Sequence, residues 1–317
     1  MGRSVRGGWV DLLWPGPIRS GRYRPRMQHG SASGPGPLLT GRRALVTGGG
    51  HGIGRGICLA FGAHGASVVV ADVDGEAAER TASDVFAAGG AASAWEVDVT
   101  DGDQAAEGVA TAADRLGGLD VLVNGVGHYL HPVTPFQDVT DDQIAELYKI
   151  NLGHVLRLTR AALPHLIRAG GPEVAAGTRP GPSIINLTTV EAFRGIPGHP
   201  VYAAFKAAVT QFSKSLALQV SEHGIRVNDI APDVTRSQQL PYERWLSEDD
   251  VARIPAWVPL GRLGEPQDAA GVAVFLASEL SAFVTGTTVH CDGGTYAAGG
   301  WYRTAHGRGW TNRPKDA

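Results

Sequence analysis

The chain has 317 residues, 43% of them hydrophobic, with 28 basic against 31 acidic side chains and a formal net charge of −3. That length admits one large α/β domain or two small ones, and the near-neutral balance offers no field for nucleic acid or an anionic membrane surface. Two cysteines, Cys58 and Cys291, cannot form a disulfide framework; they read as buried thiols in a reducing compartment, which places the expected protein in the cytoplasm.

Residues 1–38 are rich in Arg, Gly and Pro and nearly free of acids. Their apolar stretch, Trp9–Trp14, is interrupted by Asp11 and stopped by Pro15, too short for a signal-peptide core, and no run approaches the ~20 residues of a membrane helix. A disordered extension is expected here, with Met27 an alternative start, followed by one domain over 39–297 and a tail over 298–317. From Arg43 the pattern alternates strand and helix. Strands are expected at Arg43–Thr47, Ser67–Asp72, Ala92–Asp98, Val121–Asn124, Ser183–Thr188, Arg226–Ala231 and Thr288–Cys291. Helices are expected at Gly52–His64, Gly75–Ala87, Asp101–Leu116, Thr140–Ala169, Val201–His223 and Pro266–Ala277. Strands separated by helices imply βαβ units and a single doubly wound, mainly parallel sheet of seven strands with helices on both faces. Two segments read as loops: Gly170–Pro182, exposed, and Asp233–Gly264, whose Tyr242, Trp245 and Trp257 suit either a substrate lid or packing anchors.

Between the first strand and first helix lies Thr47-Gly48-Gly49-Gly50-His51-Gly52-Ile53-Gly54. Glycines let the backbone turn sharply and approach a pyrophosphate, which the N–H groups and positive end of the next helix then meet. Asp72 ends the second strand, eighteen residues past Gly54. A carboxylate there can accept from ribose hydroxyls and would repel the 2′-phosphate of NADP by about 1–4 kcal/mol, so the reading favours NAD. His51 counts weakly the other way, because a protonated imidazole could favour a phosphate. Tyr202 and Lys206 stand at i and i+4 and share a helix face. A neighbouring ammonium stabilises a phenolate, so the pair can make an acid/base from a side chain that is otherwise a poor base at neutral pH. Thr189 lies thirteen residues before Tyr202, past the fifth strand. Asn151 places an amide on the long helix beside the apolar Ile150 and Leu152, where it suits packing poorly unless it makes an exposed or interhelical polar contact. No metal site is read from the sequence.

TGGGHGIG, a strand ending in Asp72, Asp98-Val99, Asn124-Gly125-Val126-Gly127, Asn151, Thr189, Tyr202-x-x-x-Lys206, Pro232, LGRLGEP, FLAS, FVTG and DGG follow one another in order. By these motifs the chain resembles the short-chain dehydrogenase/reductase family over about residues 39–297. The resemblance implies Tyr202 as acid/base, Lys206 tuning it and binding the nicotinamide ribose, and Thr189 bonding the reacting oxygen. It implies that Asn151 holds a water linking Lys206 to solvent. Gly48, His51, Gly52, Ile53 and Gly54 would meet the pyrophosphate, Asp98 and Val99 would border adenine, and Asn124 would brace the sheet. Pro232, Val234 and Thr235 would lie against the nicotinamide.

Three departures stand out: Thr189 where the family usually has Ser, Asn-Gly-Val-Gly for Asn-Asn-Ala-Gly, and Pro232-Asp233 for Pro-Gly. The leading expectation is an oxidoreductase moving a hydride between NAD(H) and a secondary alcohol or ketone, assembled as a homodimer or homotetramer. An NADPH-dependent ketoreductase on acyl or polyketide carbonyls and a catalytically silent NAD-binding scaffold remain alternatives. His128, His131, Glu191, Phe193 and His199 flank the expected pocket.

Overall fold

The computed structural model describes residues 36–175, 181–237, 246–304 and 310–311. The expected N-terminal extension, but for its last three residues, lies outside them. Seven strands form one sheet: β1 (Arg43–Thr47), β2 (Ser67–Asp72), β3 (Ala91–Glu96), β4 (Val121–Asn124), β5 (Ser183–Leu187), β6 (Arg226–Pro232) and β7 (Thr288–Cys291). Their order is β3-β2-β1-β4-β5-β6-β7, every pairing parallel. The central strands are near-continuous apolar runs, such as Val68-Val69-Val70-Ala71, because helices cover both faces and leave neither side to water.

On one face, α1 (Gly52–Ala63), α2 (Gly75–Ala87) and α8 (Pro266–Ala277) bury Ile57, Phe61, Val85 and Val274 against Val46, Val70 and Val123. On the other, α3 (Gly102–Leu116), α5 (His154–Ala175) and α6 (Pro200–Gln219) bury Val109, Leu158, Leu166 and Leu216 against Leu45, Leu122 and Ile184. Helix ends carry local signals: Asp101 accepts from the N–H groups of Asp103 and Gln104 to open α3, and Gly117, at φ 69°, closes it.

Three expectations need correction. The helix expected over Thr140–Ala169 is α4 (Asp141–Tyr148), a π-helical turn (Lys149–Gly153) and then α5; periodicity alone does not register one inserted residue. The segment expected as an exposed loop from Gly170 is partly helical, since α5 continues to Ala175 across a kink at Gly171 (φ 48°, ψ 177°) and Gly170 is buried. Glycine absorbs the positive φ, after which the helix resumes. The segment expected as a loop over Asp233–Gly264 contains α7 (Glu248–Trp257), opened by a capping box of Ser247 and Asp250. Its Ile254 packs with Val258 and Leu263, and Val234, Leu246 and Trp257 close over them. Trp257 is thus a packing anchor; Tyr242 and Trp245 lie outside the described residues.

Strand boundaries otherwise shift by one or two residues at frayed ends. After a short α9 (Thr295–Ala298), β8 (Tyr302–Arg303) pairs antiparallel with β9 (Trp310–Thr311), and Arg303 Nη2 donates to the Pro259 carbonyl at 3.4 Å, so this part of the tail rests on its own chain. Cys58 is buried and Cys291 half-buried, both as free thiols. Among the described residues no helix is long and apolar enough to cross a membrane. The strand order reverses between β1 and β4, and the crevice this opens at the carboxyl ends of the strands is where such sheets take ligands.

Candidate active site

A cleft of about 750 Å³ occupies that crevice, a volume in the range of small-molecule and cofactor sites. One end is the glycine turn. Gly48, His51, Gly52, Ile53 and Gly54 all line it. A Cβ on Gly54 would stand 2.0 Å from the Gly48 carbonyl oxygen, so only glycine permits helix α1 to start this close beneath the turn. No acid occupies the first turn of α1, and its N-cap, His51, makes no side-chain cap. The positive end of the helix therefore faces the cleft without an internal anion, which fits a pyrophosphate.

Asp72 borders the same end. Its Oδ2 accepts from the Gly50 N–H at 2.9 Å and its Oδ1 from the Asp74 N–H at 3.0 Å, so it also braces the turn. His51 Nε2 lies 3.0 Å from Asp74 Oδ2, and that pairing removes the imidazole as a ready partner for a second phosphate. Asp98, exposed, accepts from the backbone and hydroxyl of Thr100 at 2.8 and 2.7 Å and lines the cleft beside buried Val99.

At the other end Thr189, Tyr202 and Lys206 converge, all buried and all lining the cleft. Thr189 follows β5 and caps a 3₁₀ turn (Val190–Ala192); Tyr202 and Lys206 share one face of α6. The Thr189 and Tyr129 side chains are polar neighbours of the Tyr202 hydroxyl. Lys206 Nζ sits 5.9 Å from the Tyr202 ring centroid and donates to the Leu187 carbonyl at 3.0 Å. A Cβ on Gly127 would stand 2.5 Å from that Nζ, so the last glycine of Asn-Gly-Val-Gly makes room for the ammonium.

Burial dominates the electrostatics here. It pushes the Tyr202 phenol well above its ordinary value, with Tyr129 and Glu191 adding to the rise. It lowers the Lys206 amine to about 8, opposed only by the charge of Asp229. The expectation that Lys206 holds the phenol below its free value is therefore not met in the unliganded site: desolvation penalises both charged forms.

Asn151 lies in the π turn, fully buried, and clamps the loop after β4. Its Oδ1 accepts from the His128 N–H at 3.1 Å, and its Nδ2 donates to the carbonyls of His128 (2.9 Å) and Leu147 (3.1 Å). Asn124 sits below the cleft rather than in its wall, donating to Asn186 Oδ1 at 2.7 Å and Thr159 Oγ1 at 3.2 Å. Pro232 and Thr235 line the cleft; Val234, expected beside them, turns instead into the α7 cluster. The chain bends at Val234, just past the end of β6.

Of the flanking residues, His128 and Glu191 line the cleft. His131 lies 3.1 Å from Glu146, Phe193 packs on the His290 and Tyr296 rings, and His199 packs on Tyr129. Asp233 lines the cleft and is held by Arg194 Nη2 at 2.7 Å. Tyr129, with its ring 4.4 Å from that of Tyr202, was not legible as a site residue, nor was Arg194. Each gains its place only when three strand ends come together. Among the described residues no cluster of His, Cys, Asp or Glu could hold a metal ion.

The family described as "Enoyl-(Acyl carrier protein) reductase" matches residues 48–296. Sorbitol dehydrogenase of Cereibacter sphaeroides is 35% identical over 266 residues, covering 81% of this chain and 98% of its own. A solved structure described as a putative short-chain alcohol dehydrogenase from Sinorhizobium meliloti superposes with a TM-score of 0.74 at 34% identity, over 83% of this chain and 99% of that one. A 7α-hydroxysteroid dehydrogenase solved with NADH and 7-oxo glycochenodeoxycholic acid gives a TM-score of 0.72 at 30% identity, over 81% and 94%. The chain belongs to the short-chain dehydrogenase/reductase family, nicotinamide-dependent oxidoreductases acting on CH–OH groups.

Proposed function

We propose that the protein moves a hydride between NAD(H) and a small secondary alcohol or ketone, with Tyr202 giving or taking the proton of the reacting oxygen. The observation that carries this is the convergence of Thr189, Tyr202 and Lys206, buried together at the end of the cleft remote from the glycine turn. A bound nicotinamide supplies the hydride donor or acceptor. The chain's own part is to exclude water, to bond the reacting oxygen through the Thr189 and Tyr202 hydroxyls, and to hold a positive charge near the phenol through Lys206. Gly48, His51, Gly52, Ile53 and Gly54 would hold the pyrophosphate, Asp72 the adenosine ribose, Asp98 and Val99 the adenine edge, and Pro232 and Thr235 the nicotinamide end. Asn151 would keep the β4 loop in place beside Lys206.

NAD is favoured over NADP because the Asp72 carboxylate lines the ribose end while His51 is engaged by Asp74. NAD should bind at least ~10-fold more tightly, a difference of ~1.4 kcal/mol, and Asp72→Ala should shrink the gap. Titration of both cofactors against the native protein decides it, and equal affinities would remove this role from Asp72.

The reading includes a cytoplasmic homo-oligomer, dimer or tetramer, built on the helices that carry Asn151 and Tyr202. Tyr148, 38% exposed on α4, and Leu218, 80% exposed on α6, are apolar surface available to such an interface. Light scattering should give at least twice the 33.1 kDa chain mass; a monomer at micromolar concentration would refute it.

A further inference from the structure

Thr189 has one hydroxyl proton and donates it to Glu191 Oε2. Glu191 stands two residues further on, in the 3₁₀ turn that Thr189 caps, is 9% exposed, and lines the cleft. Its carboxylate is anchored: Arg194 Nη2 donates to Glu191 Oε1 at 3.0 Å and to Asp233 Oδ2 at 2.7 Å, and Asp233 Oδ2 also accepts from the Thr295 hydroxyl. Arg194 does not line the cleft, so it grips both carboxylates from outside. The chain of bonds thereby joins the segments after β5, β6 and β7, and Glu191 cannot swing away without breaking it.

The consequence falls on Thr189. A β-branched side chain has few χ1 choices, and an anchored carboxylate selects among them. A carboxylate this buried is costly unless donors satisfy it, and one of its donors is the hydroxyl that meets the reacting oxygen in the reading above. Its oxygen also accepts from the Glu191 N–H at 3.4 Å, so one residue holds the Thr189 hydroxyl at two points, at the end of the cleft that Tyr202 lines. When a substrate oxygen arrives, the hydroxyl proton can turn from Glu191 to that oxygen without a change of side-chain rotamer, while the alcohol's own proton passes to Tyr202.

We infer that Glu191 is a positioning residue: it fixes the rotamer of the Thr189 side chain and acts on the reaction only through Thr189. This rests on the dehydrogenase reading. It separates from a purely structural role in a double-mutant cycle, because two groups that act in series do not add.

The measurement is alcohol oxidation by native protein, Glu191→Ala, Thr189→Ala and the double variant, with NAD affinity measured alongside. Misplacing a catalytic group by a fraction of a residue's width costs about 10–100-fold, so Glu191→Ala should lower kcat by about that factor with NAD affinity unchanged within about twofold. In the Thr189→Ala background the same change should cost less than about twofold. The isosteric Glu191→Gln, which keeps an acceptor for the hydroxyl, should recover part of the loss and guards against a folding defect in the alanine variant. Equal losses in both backgrounds, or native kcat in Glu191→Ala, would overturn the inference and leave the dehydrogenase reading standing. No turnover of any alcohol by the native protein with either cofactor would remove both.

Discussion

Tyr202→Phe is expected to abolish alcohol oxidation while leaving NAD affinity within about twofold of native. The phenol lines this end of the cleft beside Thr189 and Lys206, and it can both bond a substrate oxygen and exchange a proton with it. Loss of a general acid/base costs 10²–10⁴-fold in rate, roughly 3–5 kcal/mol of barrier. The fold should not suffer. The ring stays, with its contact to Tyr129 at 4.4 Å, and a volume-conserving change in a packed site is well tolerated. The pyrophosphate end is untouched, because its contacts belong to the glycine turn and α1. In the unliganded site burial keeps the phenol protonated well above its ordinary value. The group is thus ready as an acid, and as a base it depends on positive charge brought near it. Oxidation by the native protein should therefore rise with pH as phenolate forms, ketone reduction should fall, and Tyr202→Phe should lack this limb. Native-like oxidation by the Phe variant would show that another group is the base.

The same residues show what could be read without coordinates. The glycine turn, Asp72 and the Tyr202/Lys206 pair were legible because each is a local pattern with a local cause: a turn that only glycine can make, a strand end, an i, i+4 helix face. The central strands were legible because a sheet covered on both faces demands apolar runs, and the others because turn residues and helical patterns bound them. What escaped depends on tertiary context. The π turn at Lys149–Gly153 inserts one residue into a helical period that still looks continuous, and it aims Asn151 at the β4 loop. Helix α7 hides behind Pro255 and an aromatic-rich composition, although Ser247 and three following acids mark its start. Tyr129, Arg194 and Thr295 come from separate segments and become neighbours of the site only through the order of β4, β5, β6 and β7. Val234 failed for a simpler reason: it sits at a bend past the end of β6 that turns it into the α7 cluster.

Lys206 carries the other large expected effect. Its Nζ lies 5.9 Å from the Tyr202 ring centroid. A unit charge at that range is worth roughly 3 kcal/mol to a phenolate at an effective dielectric of about 20, or ~2 pKa units. Removing it should lower kcat for oxidation about 100-fold at pH 7. Cofactor affinity should fall as well if the same ammonium holds the nicotinamide ribose. Lys206→Ala would also leave a cavity beside Gly127, so Lys206→Met, which keeps the volume and discards the charge, is the cleaner variant. Stability should move the other way from activity. A buried ammonium is costly, and replacing it with an apolar side chain of similar size is neutral or stabilising. The pH dependence has a definite sign. Burial lowers the Lys206 amine to about 8 in the fold, against about 10.4 in an unfolded chain. Between those values the unfolded chain binds the proton that the native protein has released, so native stability gains with rising pH across that window. The gain should be missing from Lys206→Met. A Met variant with unchanged or higher melting temperature and kcat about 100-fold down would assign Lys206 an electrostatic task on Tyr202. A Met variant with native kcat would show that the phenol is tuned by something else.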